Sequence, residues 1–323
     1  MGIKLLQSFI GSLNHKSVRE MSLRELTNKK IVVDISIYLY RFKESNQLIE
    51  NMYLMCSIFR YYNIDVLFVF DGKADDNKKN TIKKRKEVKH IAREKYYILK
   101  EQLGKDLEKN KEIEIEMDKL RKKFVTVSKK DFQSVRELLD NYGMTYVTAT
   151  KEADELCGAL CLTNDIYACL TEDTDIIAYG APRILRYFSL MKHTVVFYDL
   201  DKIRSDLHIS LVDFQHLCVC AGNDYIESKI NIFKLYKLYK DYDMFCNYND
   251  YDSKQKHNQF LEWLLNNRYI TLQEYHKRME CMDWYTFKAT DPFKDIPFKI
   301  IKNKHIRREN LKKILKGSGF VFP

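Results

Sequence analysis

Seven acidic residues between positions 34 and 224 have the residue type and the placement to hold divalent metal ions. Several follow short apolar segments that are typical of buried strands, so their side chains are expected to converge at one edge of a sheet. A pocket with this many carboxylates repels itself unless cations neutralise it. Hard cations such as Mg²⁺ or Mn²⁺ prefer oxygen ligands, and two such ions can hydrolyse a phosphodiester. The seven residues are Asp34, Asp71, Glu152, Asp154, Asp173, Asp175 and Asp224.

Each of these acids, taken singly, is more typical of a solvated surface or a helix cap. Glu152 and Asp154, for example, suit the first turn of a helix, where the helix dipole favours negative charge. It is the whole set that predicts a metal site.

The elements that position the acids are predicted from apolar runs. Five segments have the length and composition of strands, and two of them end directly at Asp34 and Asp71. The predicted strands are residues 31–33, 66–70, 144–147, 166–170 and 194–198. Helical patterns lie at residues 47–62, 132–142, 153–163 and 211–221. This alternation predicts an α/β fold with a mostly parallel central sheet and flanking helices.

Residues 73–130 differ from the rest of the chain because they are long, charged and basic. This segment contains 20 Lys and Arg against 11 Asp and Glu, a surplus of nine, while the whole chain carries a net charge of +10. The pattern predicts one or two exposed helices that contact a polyanion. A solvated helical excursion with no partner is the alternative.

Other classes of protein are disfavoured by the composition. No apolar stretch approaches the roughly 18 residues that a membrane span needs, and the first residues lack a secretory pattern. The eight cysteines form no CxxC pair or zinc-finger spacing, so we expect buried free thiols in an intracellular protein.

Five sequence blocks, in order and with compatible spacing, resemble the flap endonuclease family of structure-specific 5′ nucleases, which is related to XPG-type nucleases and 5′→3′ exonucleases. The clearest is FVFDGK at 68–73. The others are VVDISIYLY at 32–40, ATKEAD at 149–154, TEDTD at 171–175 and GNDY within 217–225, and the chain begins MGI. The resemblance covers about residues 1–230, with no clear match after about residue 235.

The resemblance implies a PIN-like 5′ nuclease fold with the carboxylates around two Mg²⁺ ions, for which Mn²⁺ is a substitute. Asp71, Glu152 and Asp154 would serve mainly one ion, with Asp34 nearby. Asp173, Asp175 and Asp224 would serve mainly the other. The products would carry a 5′-phosphate and a 3′-hydroxyl.

The basic insertion acquires a role from the same resemblance, as a helical arch through which a 5′ single strand passes. Lys78 and Arg85 match catalytic basic residues that contact the scissile phosphate, and a spacing of seven places them on one face of a helix. The surrounding basic run would attract the DNA backbone, so we expect binding to weaken with salt. Its other members are Lys83, Lys84 and Lys86.

Two further DNA contacts are implied by the resemblance. Tyr40 matches an aromatic residue that stacks on a base near the junction, although a tyrosine in such a helix is also typical of a core. Gly2 would allow the backbone near the N-terminus to approach the DNA closely.

The segment 229–235 departs from the resemblance. The family has a glycine-containing hairpin, GIGPK, that grips duplex DNA and often binds K⁺. Here Asn231 and Phe233 replace the glycines and Lys234 replaces the proline. Phenylalanine does not tolerate positive φ, so we expect an altered hairpin and a doubtful K⁺ site. Lysines such as Lys229 and Lys234 are then the expected duplex contacts. The motif that tethers relatives to the sliding clamp is also lacking, so a clamp partner is not supported.

The resemblance implies a structure-specific nuclease that cleaves DNA 5′ flaps near the single-strand/duplex junction, with 5′→3′ exonuclease activity, in DNA replication, repair or recombination. Its partner would be branched or nicked double-stranded DNA with a 5′ single strand. We expect a monomer in the nucleus or, if viral, at a cytoplasmic replication site. A non-catalytic DNA-junction binder and a PIN-like ribonuclease stay open as alternatives.

The predicted domain organisation is a nuclease core and a helical extension packed on it. The core covers residues 1–235 and contains the insertion at 73–130, and the extension covers residues 236–323.

Overall fold

The computed structural model describes residues 2–13, 17–73, 79–103, 107–163, 165–249, 251, 253–285, 303–317 and 319–320. The strands are β1 Val18–Ser22, β2 Lys30–Asp34, β3 Asp65–Phe70, β4 Thr145–Thr148, β5 Ala168–Leu170, β6 Arg183–Ser189 and β7 Thr194–Asp199. The first helices are α1 Leu6–Ser12, α2 Ser36–Glu44, α3 Leu48–Tyr61, α4 Lys79–Glu101, α5 Leu107–Lys123, α6 Lys129–Tyr142 and α7 Ala153–Cys161. They are followed by α8 Asp175–Ala178, α9 Leu200–Leu207, α10 Leu211–Ala221, α11 Ile232–Tyr248, α12 Ser253–Asn266, α13 Leu272–Trp284 and α14 Arg308–Gly317.

The seven strands form one sheet in the order β1-β7-β6-β5-β2-β3-β4. The strands from β6 to β4 in this order are parallel, whereas β7 pairs antiparallel with both β6 and β1. The predicted α/β fold with a mostly parallel sheet is therefore confirmed. All five predicted strands are present, although β5 begins at Ala168 and not at Ile166.

Apolar side chains cover both faces of the sheet. Along β2, Ile31 and Val33 point into one core with α2, α3 and α6, while Val32 points into the other with α7, α10 and α11. Because both faces are buried, such strands appear in the sequence as continuous apolar runs and not as alternating ones. This is why β2 and β3 were predicted accurately.

The basic insertion contains two helices, α4 and α5, which pack against each other. Tyr96 of α4 meets Phe124 edge to face, with ring centroids 5.5 Å apart. At the base, Lys89 Nζ donates a hydrogen bond to the Val125 carbonyl over 3.1 Å. The helices that the sequence predicts for this insertion are thus present, and their base is tied to the chain that leads into α6. Contact with a polyanion stays a prediction.

The chain after α10 contributes to both sides of the molecule. Helices α11, α12 and α13 pack with α10, whereas α14 packs against α6 on the opposite face. The segment before α14 is held by backbone bonds, such as that from Lys304 N to the Gly143 carbonyl (2.8 Å). Gly143 has φ +73°, and a Cβ there would lie 2.6 Å from the Lys304 carbonyl oxygen, so a glycine is required.

Three further sequence expectations can be compared with the structure. All eight cysteines are buried and free, as predicted. Among the described residues, no helix is both long enough and apolar enough to span a bilayer. Helix α11 runs across position 235, and the proposed boundary between core and extension stays a prediction.

Candidate active site

The acidic residues lie at the carboxyl ends of neighbouring parallel strands. Asp34 ends β2 and Asp71 directly follows β3, while Asp173 and Asp175 follow β5. Asp154 lies in the first turn of α7, which begins after β4. The sheet therefore brings together at one edge side chains that are up to 141 positions apart in the sequence.

Three carboxylates form the centre of the cluster. Oxygen atoms of Asp154, Asp173 and Asp175 all lie within 4.8 Å of one another. The group is buried, with Asp175 only 1% exposed. Asp173 Oδ1 accepts a hydrogen bond from Asp175 N (3.1 Å), which fixes the loop that carries both acids. A close set of buried carboxylate oxygens is the donor set that a hard divalent cation prefers.

Asp34 and Asp71 form a second part of the cluster. Ser36 donates from its backbone N to Asp34 (3.1 Å) and from its hydroxyl to Asp71, and Thr171 Oγ1 donates to Asp34 Oδ2 (3.0 Å). Burial, together with the charges of Asp71 and Asp173, raises the pKa of Asp34 to about 7. This carboxyl therefore keeps a proton near neutrality unless a cation approaches it.

Glu152 is positioned by a residue that the sequence analysis did not select. Tyr225 donates from its hydroxyl to Glu152 Oε2 over 3.1 Å, and its ring packs on Trp284 with centroids 4.6 Å apart. Burial, together with the nearby charges of Glu152 and Asp154, holds the pKa of Tyr225 well above its ordinary value. The hydroxyl therefore stays protonated and acts as a donor. The available signal was its place next to Asp224 in the GNDY block.

A further residue outside the predicted set, Glu172, holds the acidic loop at residues 171–175 in place through hydrogen bonds. Glu172 precedes Asp173 and is buried, and its carboxylate accepts hydrogen bonds from Arg41 Nη2 (3.1 Å) and from Tyr187 N (2.8 Å). Arg186 Nη2 donates to the Glu172 carbonyl over 2.8 Å. No sequence pattern indicated these contacts, because the residues that make them come from α2, the loop and β6.

Gly2 lies against the acidic loop. Its φ is +85°, and a Cβ at this position would collide with Asp173 Oδ1 and with Thr174 Oγ1. Next to it, Ile3 N donates to Thr174 Oγ1 over 2.8 Å. The backbone at the start of the described chain is thus part of the wall of the acidic site, and a side chain at position 2 does not fit.

Four of the predicted basic residues lie on α4, namely Lys83, Lys84, Arg85 and Lys86. Arg85 Nη2 contacts Asp224 Oδ2 at 2.8 Å, and Lys84 forms an ion pair with Glu227. Lys83 and Lys86 are exposed. Lys78 lies outside the described residues, so its place relative to Arg85 stays a prediction.

Tyr40 lies on α2 at the base of the insertion. Its side chain is 42% exposed, and Lys89 Nζ lies 5.1 Å from the ring centroid. An exposed aromatic face beside a lysine has the chemistry of a base-stacking surface.

The segment that departs from the family pattern leads directly into α11. Asn231 is the N-cap of this helix at φ −83°, and its side chain accepts from Lys234 N over 3.0 Å. Phe233 packs edge to face on Phe9 of α1, with centroids 5.4 Å apart. Here asparagine serves as a helix cap, and no positive φ is needed. Lys229 of the loop and Lys234 in the first turn of α11 are both exposed.

Comparison with families of known proteins gives two matches. Residues 1–92 match the XPG N-terminal domain, and residues 143–224 match the XPG I-region. The chain is similar to Flap endonuclease 1 of Drosophila mojavensis, with 30% identity over 264 residues, 75% of this chain and 66% of the relative. It is 28% identical to Flap endonuclease 1 of Zea mays over 71% of this chain and 63% of the relative. The match therefore spans less than two thirds of the length of these relatives.

Solved structures share the fold. The catalytic core of Rad2 in complex with DNA substrate aligns with a TM-score of 0.68 and 22% identity, covering 98% of this chain and 95% of that chain. Flap endonuclease-1 from Methanococcus jannaschii gives a TM-score of 0.55 and 21% identity over 94% and 95%. The junction-resolving enzyme GEN-1 binding with potassium gives a TM-score of 0.64 and 17% identity over 98% and 73%. At these identities the likeness establishes a common PIN-like architecture.

Proposed function

This chain belongs to the flap endonuclease family, and on that basis we propose that it is a metal-dependent 5′ nuclease. It would hydrolyse DNA 5′ flaps near the single-strand/duplex junction and act as a 5′→3′ exonuclease at nicks. The observation that carries the proposal is the buried triad of Asp154, Asp173 and Asp175, together with the basic helix α4, whose Arg85 contacts Asp224. A protein that only binds DNA gains nothing from buried acids facing the backbone.

The donors in the cluster fit Mg²⁺, because they are carboxylate oxygens held close together by backbone and hydroxyl donors. We propose that Asp71, Glu152 and Asp154, with Asp34 nearby, hold one ion. Asp173, Asp175 and Asp224 hold the other. When bound, such ions generate hydroxide from water and stabilise charge on the phosphate and on the leaving 3′ oxygen. Mn²⁺ is expected to substitute.

The protein's own side chains supply orientation and binding. Ser36 and Tyr225 hold Asp71 and Glu152 in place through hydrogen bonds. In the proposed complex, Arg85 and Lys78 contact the scissile phosphate, so Arg85 exchanges its pairing with Asp224 for one with DNA. Lys83, Lys84 and Lys86 attract the 5′ strand, and Tyr40 stacks on a base near the junction. Gly2 lets the backbone approach the substrate.

The proposed partner is branched or nicked duplex DNA with a 5′ single strand, bound by a monomer. The corresponding processes are DNA replication, repair or recombination, in the nucleus or, for a viral protein, at a cytoplasmic replication site. Duplex contact through Lys229 and Lys234 belongs to the same proposal.

The proposal is tested by incubating a 5′-labelled flap duplex with the protein in Mg²⁺ and in EDTA. We expect incision near the junction in Mg²⁺ only. Asp175→Ala should lower the rate by about 100-fold or more, because loss of a metal ligand costs at least as much as loss of its supporting partners. The matched control is Asp201→Ala, which removes an exposed acid of α9 and should cleave at the unaltered rate.

Each alternative has its own result in this experiment. Tight flap binding without incision in Mg²⁺ or Mn²⁺ would replace the proposal with a non-catalytic junction binder. Cleavage of single-stranded RNA in preference to the flap would replace it with a PIN-like ribonuclease.

A further inference from the structure

Arg278 is a charged side chain buried inside the C-terminal helices. It lies on α13, is 1% exposed, and is the largest fully buried side chain of the described residues. Its Nη2 donates a long hydrogen bond to Ser228 Oγ (3.4 Å), and its Nη1 lies 4.0 Å from Glu274 Oε1. Within the part of the chain that the structure describes, Nε and Nη1 make no hydrogen bond. A guanidinium stays charged in a protein, so this is a buried cation with few hydrogen bonds to oxygen.

The guanidinium of Arg278 contacts the loop that joins α10 to α11, residues 222–231. Ser228 Oγ donates to the Ile230 carbonyl (3.0 Å) and accepts from Ile230 N (3.1 Å), so this hydroxyl shapes the turn. Arg278 also reaches α10: its charge opposes the burial that raises the pKa of the Cys220 thiol to about 12. The guanidinium therefore links α10, the loop and α13 at one point.

Burying a charge is unfavourable unless its surroundings compensate for it, and an apolar residue of similar volume would often pack equally well. Packing alone therefore does not explain an arginine at this position. The oxygen atoms that face its charge are Ser228 Oγ of the loop and Glu274 Oε1 of α13. A monovalent ion such as K⁺ bound at this point of the loop would need the same Ser228 oxygen. Because Ser228 Oγ already carries three hydrogen bonds and a positive charge lies beside it, the loop does not fit K⁺.

We propose that the buried guanidinium of Arg278 supplies the positive charge on the inner side of the α10–α11 loop that a bound monovalent ion would otherwise supply. Its guanidinium fixes Ser228 and so positions Lys229 and the following backbone against a phosphate of duplex DNA, without any bound monovalent ion. The inference rests on the proposed function for the duplex itself. Arg278 is a positioning residue, because it acts through the loop and does not touch the reacting atoms.

The outer surface of the loop has the charge that a phosphate requires. A cavity of about 390 Å³ beside it is lined by Lys229, Arg268 and Arg278, with Glu274 as its one acidic residue. The N-terminus of α13, which favours anions, lines the same cavity. Lys229 and Arg268 are exposed there, whereas Arg278 is buried behind them, and the two exposed positive charges make this surface attractive to the DNA backbone.

The test measures binding of a blunt DNA duplex without a flap, by fluorescence anisotropy in EDTA, in KCl, NaCl and LiCl at equal ionic strength. Wild-type protein should bind with the same Kd in all three salts, within about twofold. Arg278→Met should bind about tenfold more weakly in NaCl and LiCl, because a hydrogen bond to a charged group is worth roughly that factor. KCl should restore part of this loss, because Ser228 Oγ then becomes available to the ion.

Two further variants control for folding and for general charge. Arg278→Lys keeps the charge and should bind within about threefold of wild type. Lys277→Met removes an exposed charge from the same helix and should not acquire K⁺ dependence. Melting temperatures confirm that each variant is folded.

The inference is overturned if wild-type protein binds severalfold more tightly in K⁺ than in Na⁺, or if folded Arg278→Met binds as wild type does. Weakened binding of Arg278→Met that K⁺ does not improve would reduce Arg278 to a structural role and also overturn it. Flap cleavage in Mg²⁺ is measured on the same samples. A wild-type protein that cleaves but needs K⁺ for duplex binding refutes this inference alone, whereas neither cleavage nor binding refutes the proposed function as well.

Discussion

Asp34→Asn should make the metal-free protein more stable above neutral pH. Burial, with the charges of Asp71 and Asp173, raises the pKa of Asp34 from 3.8 to about 7 in the folded protein. The folded state therefore binds this proton more tightly than the unfolded chain. The stability that results is fully present below about pH 4 and is lost as pH rises through 7. The gap between the two pKa values corresponds to about 4 kcal/mol of unfolding free energy.

Asparagine has the same shape and carries no charge, so its contribution does not titrate. We expect urea unfolding in EDTA to show that, between pH 5 and pH 8, the unfolding free energy of the wild-type protein falls by roughly 2–4 kcal/mol more than that of Asp34→Asn. Groups that titrate in both proteins cancel in this comparison. Mg²⁺ at pH 8 should restore much of the wild-type stability and less of the variant's, because the ion compensates the carboxylate.

The exposed Asp201→Asn serves as the control and should follow the wild-type pH dependence. Parallel pH dependences of the unfolding free energy for wild type and Asp34→Asn in EDTA would show that the surroundings of Asp34 do not raise its pKa to near neutrality. The electrostatic account of the cluster would then be refuted.

Three other predictions concern the wall of the site, the basic helix and the thiols. Gly2→Ala should lower the melting temperature and slow flap cleavage about tenfold or more. The reason is that positive φ alone costs an alanine roughly 1–2 kcal/mol and that the added Cβ collides with Asp173. Gly11→Ala, where no atom lies within 4 Å of the added Cβ, should have neither effect. Arg85→Met should reduce the slope of log Kd against log salt for flap DNA by about one, as expected for one lost phosphate contact, and an unchanged slope would remove Arg85 from the DNA surface. Ellman's reagent should modify none of the eight cysteines in the folded protein and all of them in urea, because the thiols are buried. Burial also raises the pKa of these thiols, for Cys157 to about 12. Rapid reaction of any one cysteine in the folded protein would contradict its burial.

The parts of the fold that could be predicted from the sequence are those with a local signal. Strands β2 and β3 are buried on both faces and therefore read as apolar runs, each followed by an acid. The two missed strands lack that signal: β1 is a mostly exposed edge strand, VREMS, and β6 carries two arginines and a bulge between Arg186 and Ser189. Their positions depend on pairing with β7 and not on composition.

In the site, the sequence analysis identified the acidic residues but not the side chains that hold them in place. Tyr225, Glu172 and Arg278 act through residues that are distant along the chain, and no spacing rule connects such partners. The altered loop is a further case. Replacement of glycines at 231 and 233 predicted a changed hairpin, but the helix cap at Asn231 and the contact of Phe233 with Phe9 follow from three-dimensional packing.

The contact between Ile3 and Thr174 has a consequence for the order of folding. The two residues are separated by 171 positions, and the loop that their hydrogen bond closes contains β2, β3, β4, α4 and α5. Contacts of such long range form slowly, because the entropy of loop closure is lost before the contact stabilises anything. We therefore expect the acidic site to be completed late, after the sheet has assembled. On the proposed function, a chain that has not yet closed this contact would lack the assembled acidic site and would cleave DNA poorly.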